Sequence, residues 1–286
     1  MNAHLASIMQ FTQVHSDRCT HIVDLPYRLC SPAAQQPENV RIWNDSQGHI
    51  IGFGLLQWQF SVLDWATTEP NESLKRDIFA WALTRLHEER HQRAAEFGFL
   101  IGSSDANDAE AQSVGFKRGN WSMCHLSMPF NTPIPAPIVP PDLTIRPLNG
   151  TAEVEAYVAV HRAAFDSRNM SVDWRARTLK HPAYSPEIDF VAQDSQGKLI
   201  AFCIGWTGLV NGVKSGQIEP IGVLPEAQRQ GIGRAILLNT LHHMRAIGCE
   251  VIYIDAESDN EASTQLYTSV GFREFSRSYQ YSHWFE

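Results

Sequence analysis

Residues 225–238 read PEAQRQGIGRAILL, and this stretch decides how the second half of the chain is interpreted. It joins an apolar, strand-like run to a series of good helix formers, with Gly231 and Gly233 at the junction. The first N–H groups of a helix lack intrahelical acceptors, and glycine lets an anion approach them closely. Because Arg229 and Arg234 add positive charge, the stretch predicts a phosphate-binding site at a helix N-terminus.

The glycine spacing limits which phosphate-containing ligand this stretch is expected to bind. The pattern GxxxxGK[ST] of P-loop nucleotide hydrolases is absent, and no third glycine follows at the spacing of a Rossmann turn. A pyrophosphate held without a metal ion remains, although a glycine turn that opens an ordinary helix would give the same pair of glycines. A second motif is needed to decide between these interpretations.

Two motifs together resemble one known family. The spacing Gln228-x-x-Gly231-x-Gly233, after a strand that ends V-x-P, resembles the acyl-CoA loop of the GNAT acyltransferase superfamily. Residues 260–272, NEASTQLYTSVGF, resemble the closing segment of that family, in which an Asn caps a helix bearing Leu-Tyr and Gly-Phe enters the last hairpin. Ser263 departs from this pattern because alanine is usual there.

The resemblance covers residues 143–286 and carries expectations about fold and function. It implies an α/β fold with a mixed sheet, and an N-acetyltransferase that moves an acetyl group from acetyl-CoA to an amine of a small molecule or peptide. Direct attack by the amine is favoured because no convincing Ser-His-Asp set accompanies the motifs. A non-catalytic acyl-CoA-binding or regulatory module is the alternative, since it would keep the same loop.

The resemblance also implies which residues carry the chemistry. Tyr267 lies near the thioester sulfur in this family, so its phenol is expected to protonate the leaving thiolate. Glu219, on the strand before the loop, is expected to take the proton from the amine, with Asp255 and Glu257 as alternatives. Pro220 supports this role because proline interrupts ladder pairing at the strand where the sheet opens in this family.

Cofactor contacts are expected to come mostly from the main chain. The strand before the loop would bind the pantetheine arm as an added strand does, and the loop would bind the pyrophosphate. The expected cofactor-binding positions, which include the acid, are Ile221, Gly222, Val223, Gln228, Arg229, Gln230, Gly231, Ile232, Gly233, Arg234, Asn260 and Tyr267.

The proline-dense segment 129–141, PFNTPIPAPIVPP, marks a boundary near mid-chain because it can neither continue a helix nor join a central strand. Similar stretches occur in the same order on either side of it. DSQGHIIGF (45–53) matches DSQGKLIAF (194–202), and SVGFKR (113–118) matches SVGFRE (269–274). Two such pairs predict an internal duplication.

The duplication predicts two tandem GNAT-like domains: a degenerate domain at 1–130, a proline-rich linker at 131–142 and a catalytic domain at 143–286. Where the loop should be, the first copy reads TTEPNESLKRDIF (67–79), without glycine and with glutamates that would repel phosphate. Its second motif has no tyrosine. We therefore expect that the first copy has lost CoA binding, and that it has a structural role or forms a wall of the acceptor cleft.

Composition bounds the remaining function classes. The 286 residues carry a net charge of −8, which argues against a general nucleic-acid binder. No run approaches the ~18 apolar residues of a membrane span, and neither a signal peptide nor a membrane partner is predicted. Five cysteines lie far apart without a CxxC pair, which favours a reduced, cytoplasmic setting.

The stretch HEERH (87–91) matches the zinc signature HExxH. Its surroundings are nearly all polar and no third ligand is evident, so a solvated helix face is the better interpretation. The sequence therefore predicts no metal site.

Overall fold

The computed structural model describes most of the chain, and the described residues form two compact units that are discontinuous in sequence. The described residues are 3–16, 23–68, 70–89, 96–101, 108–131 and 133–284. The first unit comprises Met1–His125, Ala256–Asn260 and Glu274–Glu286, and the second comprises Leu126–Asp255 and Glu261–Arg273.

Helices and strands alternate along the chain. In order they are α1 Ala3–Val14, α2 Leu25–Leu29, β1 Val40–Asn44, β2 Ile50–Gln57, β3 Val62–Thr67, α3 Glu72–Glu89, β4 Glu96–Ile101, α4 Ala109–Ser113, β5 Lys117–Pro129, β6 Thr144–Pro147, α5 Val154–Ala164, α6 Val172–Leu179, β7 Asp189–Gln193, β8 Leu199–Val210, β9 Val213–Val223, α7 Ile232–Ala246, β10 Val251–Glu257, α8 Glu261–Val270 and β11 Arg273–Trp284. Among the helices of the described stretches, none has both the length and the apolar character needed to cross a membrane.

The second unit is a mixed sheet with helices on both faces. Its strands lie in the order β10-β9-β8-β7-β6; β9 and β10 are parallel, and the other neighbours are antiparallel. Helix α7 covers one face, where Met244 lies against Gly205. Helix α5 covers the other face, where the rings of Tyr157 and Phe202 are 5.2 Å apart. Residues 202 and 205 of β8 point to opposite faces because side chains alternate along a strand.

This architecture confirms the predicted α/β fold with a mixed sheet. Helix α7 ends at Ala246, and Gly248 follows it in the left-handed region at φ 90°. Helix α8 begins at Glu261. The last element, β11, is one long strand of 12 residues.

The two matching DSQG stretches form hairpin turns with the same hydrogen bonds. The carboxylate of Asp45 accepts from the main-chain N–H groups two and four residues later, at 2.8 and 2.9 Å. Asp194 accepts from the equivalent N–H groups at 2.9 Å each. Gly48 and Gly197 take the left-handed conformation, at φ 86° and 80°. This agreement supports the predicted internal duplication.

The two SVGF stretches also end their helices in the same way. The N–H of Phe116 donates to the carbonyl of Ala111, and the N–H of Phe272 donates to the carbonyl of Tyr267, both at 3.1 Å. Ala111 therefore stands in the first copy where Tyr267 stands in the second. The first copy has no phenol at this position.

The two compact units do not coincide with the two sequence copies, and the last strand is the reason. Most of β11 belongs to the first unit, where it pairs antiparallel with β4 from Gln280 to Trp284. Tyr281 is buried there, and its hydroxyl oxygen accepts a hydrogen bond from the N–H of Asp108 at 2.7 Å. The division into 1–130 and 143–286 remains a prediction about sequence copies; the compact units differ from it because strand pairing crosses the copies.

We expect a fragment of residues 143–286 not to fold on its own. It would lack Leu126 and Met128, which are buried members of the second unit, and its last strand would lose the β4 ladder. Circular dichroism melting and gel filtration of the fragment, beside the full chain, measure this. A cooperative melt close to that of the full chain, from a monodisperse fragment, would contradict the expectation.

Candidate active site

Strand β9 carries a bulge at Glu219 and Pro220. On its β8 side, Cys203 pairs with Ile221 and Gly205 pairs with Ile218, so β9 has one residue more than β8 between these pairs. Proline has no N–H to give to a ladder, which is why an irregularity forms at this point. The predicted interruption of pairing at Pro220 is confirmed.

Beyond the bulge, β9 and β10 no longer pair. Among the described residues of the second unit, their parallel pairing begins with Ser215 opposite Val251 and ends with Ile218 opposite Ile254. On the other side, β8 pairing continues to Val223. One edge of residues 221–223 therefore presents main-chain groups to which an extended ligand can add as a strand.

The loop after β9 leads to an uncapped helix tip. Gly231 precedes α7 at φ 81°, without a side-chain cap and without an acidic residue in the first helical turn. The N–H of Ala235 donates to the carbonyl of Gly231 at 2.9 Å, so the N–H groups just before Ala235 have no intrahelical acceptor. Arg229 is also in the left-handed region, at φ 61°, which is rare for a residue with a side chain.

These features fit a pyrophosphate. A helix N-terminus carries a partial positive charge, and a left-handed residue followed by a helical one turns successive N–H groups towards the same point. A Cβ on Gly231 would meet nothing within 4 Å, so the space in front of this residue is open. The fit concerns the expected positions Arg229, Gln230, Gly231, Ile232, Gly233 and Arg234; their role as cofactor contacts stays a prediction.

The loop side chains brace the loop itself. Gln228 donates to the carbonyl of Val223 at 3.2 Å, and Gln230 donates to the carbonyl of Glu226 at 3.3 Å. Arg234 donates to the hydroxyl of Ser269 on α8 at 2.6 Å. These three side chains stabilise the loop, so the groups left to bind an anion there are mainly main-chain N–H groups.

Gly222 has a packing role besides the expected main-chain contact. A Cβ at this position would lie 2.5 Å from the ring of Phe202 and 3.1 Å from the side chain of Ala164 on α5. A side chain would therefore push α5 away from β9. The glycine keeps this helix close to the strand whose other edge is open.

Tyr267 is buried on α8, with 5% of its surface exposed. Burial raises the pKa of its hydroxyl, a hydrogen bond with Ser263 lowers it, and the negative charges of Glu219, Cys203 and Asp255 raise it further. The net shift is upward, so the phenol keeps its proton well above neutral pH. The protonated phenol thus lies within electrostatic reach of Glu219, and its role as the acid stays a prediction.

Ser263 was not predicted to contact Tyr267. It departs from the family pattern, yet it lies one helical turn before Tyr267 and bonds to its hydroxyl. A spacing of four residues on one helix face is the sequence signal that could have found it.

The alternative bases, Asp255 and Glu257, lie at the end of β10, and Asn260 lies just before α8. Burial raises the pKa of Glu257, and the negative charge of Asp259 raises it further. Asp255 is partly buried and its charge acts on Tyr267. Asn260 stands immediately before α8, as expected for a cap position, and its N–H donates to the carbonyl of Glu257 at 3.0 Å.

The first copy closes the equivalent helix tip with its own side chains. Asn71 precedes α3, and its side-chain oxygen accepts from the N–H of Leu74 at 3.0 Å. Glu72 places a negative charge in the first turn. These features support the prediction that the first copy has lost CoA binding, because an anion would meet a filled cap and a carboxylate.

An acid also stands at the place of the bulge in the first copy. When the two DSQG turns are aligned, Leu55 corresponds to Ile204. Leu55 pairs with Asp64, and Ile204 lies opposite the bulge in β9. Asp64 is buried and lies 3.5 Å from the guanidinium of Arg28.

No group of three or more histidine, cysteine, aspartate or glutamate side chains in the described stretches could hold a metal ion. His87 lies near the end of α3, with its ring 5.4 Å from that of His283, whereas His91 falls outside the described residues.

A mixed α/β sheet with an opened strand edge and an uncapped helix tip is suited to an extended ligand that carries a phosphate group. In agreement with this, residues 154–272 match a family described as the acetyltransferase (GNAT) family. This match is a similarity to that family over the part of the chain that holds the open strand edge and the helix tip.

Curated relatives are similar to about three-fifths of this chain. A mycothiol acetyltransferase of Thermobispora bispora is 29% identical over 185 residues, which cover 60% of this chain and 61% of the relative. A mycothiol acetyltransferase of Frankia alni is 31% identical over 192 residues, which cover 62% of this chain and 56% of the relative. The match thus spans about three-fifths of the length of these relatives.

Solved structures share the fold over nearly the whole chain. A GCN5-related N-acetyltransferase from Sphaerobacter thermophilus aligns with a TM-score of 0.66 at 14% identity, over 86% of this chain and 81% of that one. A tandem GNAT protein from the clavulanic acid biosynthesis pathway aligns with a TM-score of 0.65 at 12% identity, over 98% and 94% of the two chains. At these identities the likeness concerns the fold alone.

We expect Gly231→Asp to weaken coenzyme A binding at least about tenfold, or about 1.4 kcal/mol, because a carboxylate would enter the space in front of the helix tip. Isothermal titration calorimetry measures this. Gly197→Asp is the matched control, since Gly197 has nearly the same φ, 80°, and equally open surroundings. Equal affinity of the two variants would contradict the loop assignment.

Proposed function

We propose that this protein is an N-acetyltransferase that moves an acetyl group from acetyl-CoA to an amine by direct attack. The observation that carries the proposal is the coincidence of three features within one unit. These are an open β9 edge beyond Ile218, an uncapped helix tip at Gly231, and the buried phenol of Tyr267 beside the Glu219 charge. Acetyl-CoA would supply the acetyl group as a thioester.

Main-chain groups would position the donor. The N–H groups from Arg229 to Arg234 would hold the pyrophosphate, and residues 221–223 would pair with the pantetheine arm. The carbonyl of Val223 already accepts a hydrogen bond from Gln228, so the remaining groups of this edge would serve the ligand. The thioester would then lie beside the bulge in β9.

Two side chains would move the protons. Glu219 would take a proton from the acceptor ammonium, either directly or through water, and so generate the nucleophilic amine. Tyr267 would give its proton to the departing thiolate. Because the pKa of Tyr267 is raised above its ordinary value of 10.0, this acid is present throughout the neutral range and is lost only above it.

The acceptor is proposed from the relatives alone. The two relatives described above are named mycothiol acetyltransferase, which makes desacetylated mycothiol the first amine to test. A panel of small amines and peptides tests the wider class. Release of free thiol from acetyl-CoA that depends on an amine separates an enzyme from a module that only binds acyl-CoA.

Replacing Tyr267 by Phe is expected to lower kcat at least about tenfold, because the thiolate would leave without an acid. The affinity for acetyl-CoA should stay nearly unchanged, since the ring and its packing remain. Steady-state kinetics and calorimetry measure the two quantities. A variant with full turnover would remove Tyr267 from the acid role.

Replacing Glu219 by Gln is expected to lower kcat/KM about a hundredfold and to remove the acid limb of its pH profile, because no carboxylate is left to titrate. Asp255→Asn is the companion variant that tests the alternative base. Loss of the acid limb in Asp255→Asn, with Glu219→Gln still active, would transfer the base role to Asp255.

A further inference from the structure

A cluster of buried polar side chains lies under the α5 face of the second unit. The guanidinium of Arg175 is paired through Nη2 with Oδ2 of Asp189, and the hydroxyl of Tyr184 donates to the same oxygen at 2.7 Å. Both charged side chains are fully buried. A buried ion pair gains little net stability over apolar packing, so its presence calls for a second purpose.

Tyr157 completes this cluster without a hydrogen bond of its own. Its side chain is fully buried, and its hydroxyl has no hydrogen-bond partner among the residues that the structure describes. The guanidinium carbon of Arg175 lies 3.9 Å from the centre of the Tyr157 ring. Phenylalanine would pack here equally well, and it would avoid the cost of burying an unsatisfied hydroxyl.

The position of Tyr157 relates the cluster to the bulge in β9. The Tyr157 ring packs on Phe202, which is paired across the ladder with Gly222. Asp189 is paired with Ile204, the residue that faces the bulge. Tyr157 thus lies on the sheet face opposite to α7, between Phe202 and the Arg175–Asp189 pair, and Asp189 is the ladder partner of the residue that faces the bulge.

The electrostatic surroundings of Tyr157 include Glu219 itself. Burial raises the pKa of the phenol, the positive charge of Arg175 lowers it, and the negative charges of Asp189 and Glu219 raise it. The net shift is upward, so the hydroxyl keeps its proton and can act as a donor. The charged and titratable groups that act electrostatically on this hydroxyl are Arg175 from α6, Asp189 from β7, Cys203 from β8 and Glu219 from β9. His161 of α5 has its pKa lowered to about 3, chiefly by burial, and stays neutral.

We propose that Tyr157 is a positioning residue for Glu219, donating its hydroxyl hydrogen bond to that carboxylate when the substrates are bound. The inference rests on the proposed base role of Glu219. Catalytic hydrogen bonds are often long in structures without substrate and tighten in the complex, which accounts for the unpaired hydroxyl. A hydrogen bond to the ionised form favours that form, so Tyr157 holds the base deprotonated and oriented.

Replacing Tyr157 by Phe tests this role, because it removes the hydroxyl and keeps the ring on Arg175. The acid limb of the kcat/KM profile is expected to move up by about one pH unit, since the carboxylate loses a donor to its charged form. Below that limb the rate then falls about tenfold. The affinity for acetyl-CoA should not change.

Tyr184→Phe is the matched control from the same cluster. Its hydroxyl already has a partner, Asp189, so its loss should lower the melting temperature and leave the acid limb in place. An unshifted acid limb in Tyr157→Phe, or an equal shift in both variants, overturns the inference. If Tyr157→Phe does not fold, 3-fluorotyrosine at position 157 replaces it. This stronger donor should move the acid limb down, and no movement overturns the inference.

Two outcomes separate this inference from the proposed function. If Glu219→Gln keeps the acid limb of the wild type, the base role of Glu219 fails and the role of Tyr157 fails with it. If Glu219→Gln loses the limb and Tyr157→Phe leaves it unmoved, only the role of Tyr157 fails.

Discussion

The end of pairing between β9 and β10 after Ile218 is the constraint on which the site depends. An extra residue at Glu219 and Pro220 breaks the regular alternation of β9, and the neighbouring strand does not follow it. This gives the sheet an edge in its interior, where main-chain groups of 221–223 have a partner on one side only. An edge of this kind would be a hazard on a surface, but here it leads directly into a helix tip suited to an anion.

The two copies show how little must change for such a site to close. In the first copy Asn71 caps the helix tip, Ala111 replaces the phenol, and Asp64 at the place of the bulge is paired with Arg28. The hairpin turns and the Gly-Phe corners are kept, with nearly identical hydrogen bonds. The scaffold and the chemistry of this fold are therefore separable, and the first unit retains the scaffold.

Much of the second unit could be predicted because its signals are local. The Gly-x-Gly pair, the DSQG turn and the Leu-Tyr helix each depend on a few neighbouring residues, and the structure has an element at each place. The Arg175–Asp189 pair could not be predicted in this way, because its members lie on α6 and β7 and meet only after the sheet has formed. Ser263 looked like a departure from a pattern, although its spacing of four residues from Tyr267 on one helix is a local signal of the bond between them.

The membership of β11 in the first unit has a consequence for biosynthesis. Domains commonly fold one after another from the N-terminus as the chain leaves the ribosome. Here the ladder on β4 needs residues 280–284, so the unit begun first cannot be completed until that late segment has been translated. Until β11 has been synthesised, the edge of β4 that it will occupy stays unpaired. During this interval the nascent chain can pair at that edge with a neighbouring chain.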